Sequence, residues 1–370
     1  MTDYASFILL IRNLSYVETW SEPVPSKFYG TNVTPTLKRL ADGRLLFFWA
    51  NTTSLPEFPK TMEMKHIFSY KQLMGVSEDI FTNRDLIHVA ISEDDGKTWK
   101  GFRELYLNRR RNDGNYGPAN SSGELEGVDP NVQQSQAVEL PEGKVLVACG
   151  QHEQHRVMLI FDVDWIYEKE RYEDFSEGAE NVCVFQYETE MVGHLVLNRK
   201  IGARVVTDPL NEENKVLKIC NPLDSTLVIE NQGATWNFPA GTKGKVDLDL
   251  YVTDACKGGF ISLIDRWFNP VDTTAYKYAM FNLEITPEGY LNGKIKLQRN
   301  QWHKIQLSWT TLEKEDVHQC ELYIDRQKQK IILPLKNASL HGISYLHSQS
   351  RAKEKDMGGF YVDNLSATVE

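Results

Sequence analysis

What this chain of 370 residues lacks narrows the field first. Its apolar runs, such as Phe7-Ile8-Leu9-Leu10-Ile11, are shorter than the about 20 residues that cross a bilayer and than the about 7–15 of a signal-peptide core. No membrane span or targeting segment is expected. Cysteines are few and odd in number: Cys149, Cys183, Cys220, Cys256 and Cys320. None forms a C-x-x-C pair for zinc or redox chemistry, so buried free thiols are expected rather than a disulfide framework. Positive charge is in deficit, 41 Lys and Arg against 51 Asp and Glu, for a formal charge of −10. The basic cluster Arg109-Arg110-Arg111 is too short to reverse that field along a phosphate backbone, which excludes nucleic acid as a partner.

What is present suits a folded protein. With 41% hydrophobic and 25% charged residues the chain is neither disordered nor fibrous, and its length suits two domains of about 150 residues each. Near the N-terminus it repeats itself. Leu37-Lys38-Arg39-Leu40-Ala41-Asp42-Gly43-Arg44-Leu45-Leu46 returns one hundred positions later as Ala137-Val138-Glu139-Leu140-Pro141-Glu142-Gly143-Lys144-Val145-Leu146. Each copy reads as a strand, an acidic-Gly turn and a second strand, and the spacing suits two units of about 50 residues, the size of a four-stranded propeller blade. Between the copies, the strand Ile87–Ile91 leads into Ser92-Glu93-Asp94-Asp95-Gly96-Lys97-Thr98-Trp99. There Asp94 can accept backbone N–H groups across a turn closed by Gly96, Ser92 and Thr98 can add side-chain bonds, and Trp99 can pack between strands.

That octapeptide, S-x-D-x-G-x-T-W, resembles the Asp-box or BNR repeat. Thr19-Trp20-Ser21-Glu22-Pro23-Val24, Arg39–Leu46, the octapeptide and Leu140–Leu146 occur in the order found in sialidase-like glycoside hydrolases, and the resemblance covers about residues 5–167. It implies a partial β-propeller of about two to three blades, with Ser92, Asp94, Gly96, Thr98 and Trp99 as fold fasteners. It also implies hydrolysis of a complex or acidic glycan, and a secreted or periplasmic location. A six-bladed ring takes about 300 residues, so either copies complete a ring as a homo-oligomer or the chain belongs to a longer protein.

Sialidases use a Tyr nucleophile with a Glu, an Asp acid/base and an arginine triad. The matching positions here read Asn32-Val33-Thr34-Pro35-Thr36, Trp49-Ala50-Asn51 and Gln134-Ser135, so strict sialidase activity is not expected. The candidate acid/base groups are Glu124, Glu126 and Asp129, on the loop 108–134, and His152, because glycosidic cleavage needs a group that protonates the leaving oxygen. Arg84, Arg110, Tyr116, Gln134 and His155 are candidates for substrate binding. The alternative is a non-catalytic carbohydrate-binding or adhesion protein, or an inactive fragment of a longer hydrolase.

Residues 168–178 read as a charged linker. Beyond it, over 179–370, short alternating segments with turn signals predict a two-sheet β-sandwich. Trp302-His303-Lys304-Ile305-Gln306-Leu307-Ser308-Trp309, Cys320–Asp325 and Gly358–Leu365 resemble strands of laminin-G-like, concanavalin-A-like jelly rolls. His303 reads as a structural residue. No cofactor is required, but Asp208 and Asp363 resemble carboxylates that tie first and last strands through a structural calcium in some such domains. Trp236, Trp267 and Phe268 serve either the core or stacking on sugar rings. The fold class expected is thus all-β, a partial propeller followed by a jelly roll.

Overall fold

A computed structural model describes residues 7–10, 24–30, 34–52, 86–107, 112, 132, 134–150, 156–187, 191–192, 195–196, 199–222, 232–268, 270, 275–312, 317–337, 339 and 341–370. The fold is all-β. The first blade-like sheet holds β1 (Thr36–Arg39), β2 (Leu45–Trp49), β3 (Leu86–Ser92) and β4 (Lys100–Leu107) in sequence order. The second holds β5 (Gln136–Glu139), β6 (Lys144–Cys149) and β7 (Val157–Asp162). The sequence repeat is a structural one. Both copies share a backbone bond across the turn, from the Leu40 N–H to the Arg44 carbonyl and from the Leu140 N–H to the Lys144 carbonyl, each 2.8 Å. Gly43 and Gly143 supply the positive φ at equivalent positions (94° and 72°).

The two sheets stack on each other. Leu46, Phe48, Val89 and Ile91 of the first are fully buried against Val145, Val147 and Cys149 of the second. Register then exposes an asymmetry. Leu146 pairs with Ile160 and Ala148 with Met158, as Leu46 pairs with Ile91 and Phe48 with Val89. Yet Val138, Met158 and Ile160 are 55%, 75% and 62% exposed. The second sheet therefore presents to solvent the face that the first sheet buries.

The sandwich follows. Its larger sheet has eight strands: β8 (Glu170–Glu173), β9 (Arg204–Asp208), β10 (Asn211–Asn221), β12 (Lys243–Val252), β15 (Trp302–Leu312), β16 (Val317–Ile324), β17 (Gln327–Pro334) and β19 (Asp356–Val369). They run β9-β10-β19-β12-β15-β16-β17, with β8 also on β19. Part of the segment expected as a linker is thus a strand of this sheet. The opposing sheet centres on β11 (Gly233–Gly241), β13 (Gly259–Ile264), β14 (Phe281–Ile285) and β18 (Ile343–Ser350). The core between the sheets takes Trp236, Phe238, Trp309 and Phe360. Trp236, Trp267 and Phe268 are each at most 1% exposed, so they pack in the interior and do not offer a stacking surface. All five cysteines are free and buried. Among the described residues no helix is long and apolar enough to cross a membrane.

Candidate functional site

The Ser92–Trp99 turn is satisfied from within. The Ser92 hydroxyl donates to Asp94 Oδ1 at 2.9 Å and accepts from the Gly96 N–H at 2.8 Å. Thr98 donates to Asp94 from both its hydroxyl (2.6 Å) and its backbone N–H (2.8 Å). These Thr98 bonds favour the ionised form and hold the Asp94 carboxyl down at about 2. Trp99 lies edge-on to Phe28 at 5.2 Å and 5.8 Å from Phe47 of β2, fixing the turn to the first sheet. Every acceptor of Asp94 is turned inward to its own loop, which is a fastener's geometry and leaves nothing aimed at a substrate.

Between the blades and the sandwich lies a buried polar seam. His88 and Tyr345 are both fully buried. The Asn51 N–H donates to His88 Nδ1 at 3.1 Å, so Nδ1 bears no proton, and burial, with His341 adding, pushes the imidazole well below its ordinary pKa. The neutral ring then donates from Nε2 to the Tyr345 hydroxyl at 2.6 Å, and Tyr345 donates to Glu104 Oε2 at 2.8 Å. Alongside, Arg266 pairs with buried Asp265 at 2.7 Å and stacks over the Tyr29 ring at 3.4 Å. Asn51 ties to Asp265 and Trp267 through both backbone and side chain. The seam ties sheet to sheet through these buried bonds.

The open chemistry is on the outer face of the eight-stranded sheet. Alternation along β12 sends Val246, Leu248 and Leu250 inward and Asp247, Asp249 and Tyr251 outward; along β15, Ile305 and Leu307 go inward and Trp302, Lys304 and Gln306 outward. Register lines these up in rows across the strands. One row is Lys218, Tyr361, Tyr251 and Trp302. The next is Asp363, Asp249 and Lys304, and the third Ser366, Asp247, Gln306 and Tyr323. Ring centroids in the first row lie 5.4 Å apart (Tyr251 and Trp302) and 5.5 Å apart (Tyr251 and Tyr361). A groove of about 480 Å³ runs over the second and third rows, lined by Asp247, Asp249, Lys304, Gln306, Tyr323, Arg326 and Asn364.

A β-bulge builds the middle row. Asp247 opposes Ser366 while Asp249 opposes Asp363, so β19 carries one extra residue, and Asn364 sits there at φ 50°. Its side chain joins the face: Nδ2 donates to Asp249 at 3.0 Å and Asp363 at 3.2 Å, and Oδ1 accepts from the Tyr172 hydroxyl at 2.9 Å. Like charges directly opposite on a sheet repel. Here the Asn364 amide bridges them, and Lys304 pairs with Asp249 at 3.1 Å. Burial pushes Asp363 above the usual carboxylate value, with the charges of Asp249 and Asp208 adding to the rise.

Asp208 and Asp363, candidates for calcium from the sequence, do come together. Asn214 Nδ2 donates to both, at 3.2 and 2.9 Å. Asp208 also accepts from the Leu210 N–H at 2.8 Å and from the Trp302 indole at 3.1 Å. Calcium takes six to eight oxygens, whereas these carboxylates face N–H donors. Among the described residues no three His, Cys, Asp or Glu gather as metal ligands. The residues as arranged do not fit a resident calcium. The Trp302 bond has a geometric meaning. Four strand spacings separate β9 from β15, about 19 Å on a flat sheet, so the β9–β10 hairpin end leans across the face and makes it concave.

The other sequence candidates divide simply. Gln134 is exposed at φ 57° beside buried Ser135, whose carbonyl accepts from Thr36. Arg84, Arg110, Tyr116, Glu124, Glu126, Asp129, His152 and His155 lie outside the described residues. His303 is buried, with Nδ1 on Asp325 and Nε2 on the Gln298 carbonyl, each at 2.9 Å. The aromatic row is set by cross-strand register, which brings Tyr361 of β19, Tyr251 of β12 and Trp302 of β15 side by side.

No family model matches the chain, and no curated protein matches it. Among solved structures it is similar to the Trypanosoma rangeli sialidase in complex with sialic acid, at 9% identity and a TM-score of 0.30, over 98% of this chain and 56% of that one. The chain thus spans little more than half the length of that sialidase. It is also similar to the alginate lyase Aly36B (9% identity, TM-score 0.30, 45% of this chain and 84% of that one). A third likeness is to a glycoside hydrolase family 16 endo-glucanase from Bacteroides ovatus (14% identity, TM-score 0.34, 54% of this chain and 98% of that one). At such identities and scores nothing of those proteins' chemistry transfers to this chain.

Proposed function

We propose that this protein recognises a glycan, and that the concave outer face of its sandwich is the surface that does so. One observation carries the reading: the partly exposed Tyr361 and Trp302 rings flank buried Tyr251 in one row, next to the rows of hydrogen-bonding side chains that line the groove. Carbohydrates are amphipathic in the matching way, with C–H faces that pack on aromatic rings and hydroxyls that both donate and accept. A secreted or periplasmic setting, where such ligands are met, belongs to the same proposal. Affinity electrophoresis of the whole chain in gels containing polysaccharides tests it. Retardation by a glycan, weakened at least tenfold in Trp302→Ala, supports the reading; equal mobility in every gel overturns it.

Hydrolysis is the second reading, and the Asp249–Asp363 pair favours it. Glycosidic cleavage uses a pair of carboxyls, and the Asn364 amide bridges these two at 3.0 and 3.2 Å. Turnover of chromogenic glycosides, lost in Asp249→Asn, assigns chemistry to this face. Turnover lost instead in His152→Ala, and kept in Asp94→Ala, assigns it to the group expected from sequence, with Glu124, Glu126 and Asp129.

A further inference from the structure

The glycan reading leaves open the charge class of the ligand, and the face itself bears on it. Among the described residues the lysines beside the groove and the aromatic row are each engaged, Lys218 on the Met357 carbonyl at 2.7 Å. Lys304 is held on Asp249 at 3.1 Å, and Lys245, one strand position beyond, on Asp247 at 3.6 Å. Against them stand Asp208, Asp247, Asp249 and Asp363. An anionic sugar laid on the middle row would bring its carboxylate against this cluster in a partly desolvated concavity, where like charges repel most strongly. Arg326, on the turn that follows β16, also lines the groove as an exposed residue, so a carboxylate paired with it would still lie beside the Asp249 row.

The remaining polar groups suit hydroxyls. Gln306 Nε2 donates to Asp247 at 2.7 Å and Asn364 Nδ2 to Asp249 at 3.0 Å, so an amide and a carboxylate stand side by side twice along the groove. Each such pair offers an adjacent donor and acceptor to vicinal hydroxyls, which carry both functions. From β19 to β16 the face spans three strand spacings, about 14 Å, the reach of a short oligosaccharide laid across the strands. Resting on the glycan reading above, we infer that this face takes an uncharged glycan, with sugar rings on Trp302 and Tyr361 and hydroxyls on the Asp249–Asn364 and Asp247–Gln306 pairs, and that it rejects uronic and sialic acid polymers.

The test is affinity electrophoresis of the whole chain against soluble neutral polysaccharides (mannan, xyloglucan, mixed-linkage β-glucan) and anionic ones (alginate, polygalacturonate, polysialic acid). The expected result is retardation by at least one neutral polymer with a dissociation constant at least tenfold below that for any anionic one. Trp302→Ala and Asp249→Asn should each weaken it at least tenfold, and Arg326→Ala should change it less than twofold. A thermal melt of each variant separates lost binding from lost folding, and Trp302→Phe should retain most of the affinity. Tighter binding of an anionic polymer, abolished by Arg326→Ala or by 0.5 M salt, overturns the charge assignment and leaves glycan recognition standing. Absence of retardation by both classes overturns glycan recognition itself.

Discussion

The Tyr345 hydroxyl donates to the Glu104 carboxylate at 2.8 Å, and that bond crosses from the sandwich to the first blade. Behind it the neutral His88 ring donates to the same hydroxyl at 2.6 Å. Tyr345→Phe keeps the ring and removes the oxygen, leaving the buried His88 Nε2 without its acceptor and Glu104 one hydrogen bond short. The expected cost is about 1–3 kcal/mol, read as a lower urea midpoint for the whole chain. Glycan binding at the distant outer face should be unchanged.

Acid pH should act in opposite senses on two aspartates. Asp94, held at about 2 from an ordinary 3.8, contributes stability that is fully present above 3.8 and is lost as pH falls through 2. Asp94→Asn should therefore flatten the acid limb of the melting curve. Asp363 is raised above 3.8 by burial. Between 3.8 and its folded value the native state binds more protons than the unfolded one, so stability falls as pH rises through that window. Asp363→Asn should raise the melting temperature at pH 7 and lose that advantage below pH 3.8. Differential scanning fluorimetry across pH distinguishes the two.

Gly359 lies on β19 at φ 62°, and a Cβ there would stand 2.0 Å from the Ile219 carbonyl oxygen of β10. Neither backbone can yield without breaking the pairing of these strands. Gly359→Ala should cost about 3 kcal/mol or more, in the range of severe core lesions, measured by chemical denaturation.

The amide of Asn214 occupies the space between Asp208 and Asp363. Chelation should accordingly leave the melting temperature unmoved, and millimolar calcium should not raise it. Replacement of Asn214 by Ala should lower it, because two facing carboxylates then lose their shared donor. A rise on calcium addition would reverse this assignment.

How much was legible in the sequence follows from where alternation survives. β12 and β15 alternate cleanly because one face meets the core and the other meets solvent, so their outward residues could be read off. β18, Ile343–Ser350, is buried along its whole length. One side meets the core and the other packs Tyr345 and His347 into the polar seam, so its polar residues mimic a loop and the strand was not foreseen. The same holds for β11. The aromatic row depended on cross-strand register, which periodicity within one strand does not carry. Asp208 and Asp363 were paired through a resemblance, and their proximity held while their partner proved to be an amide.

Val138, Met158 and Ile160 cover the solvent side of the second blade. A flat, greasy sheet of this kind offers a landing place for dyes such as ANS, whose brightening is ordinarily taken as the mark of a loosened fold. For this molecule, fluorescence enhancement would accompany the intact native state, and cooperative loss of near-ultraviolet circular dichroism would be the sounder gauge of denaturation.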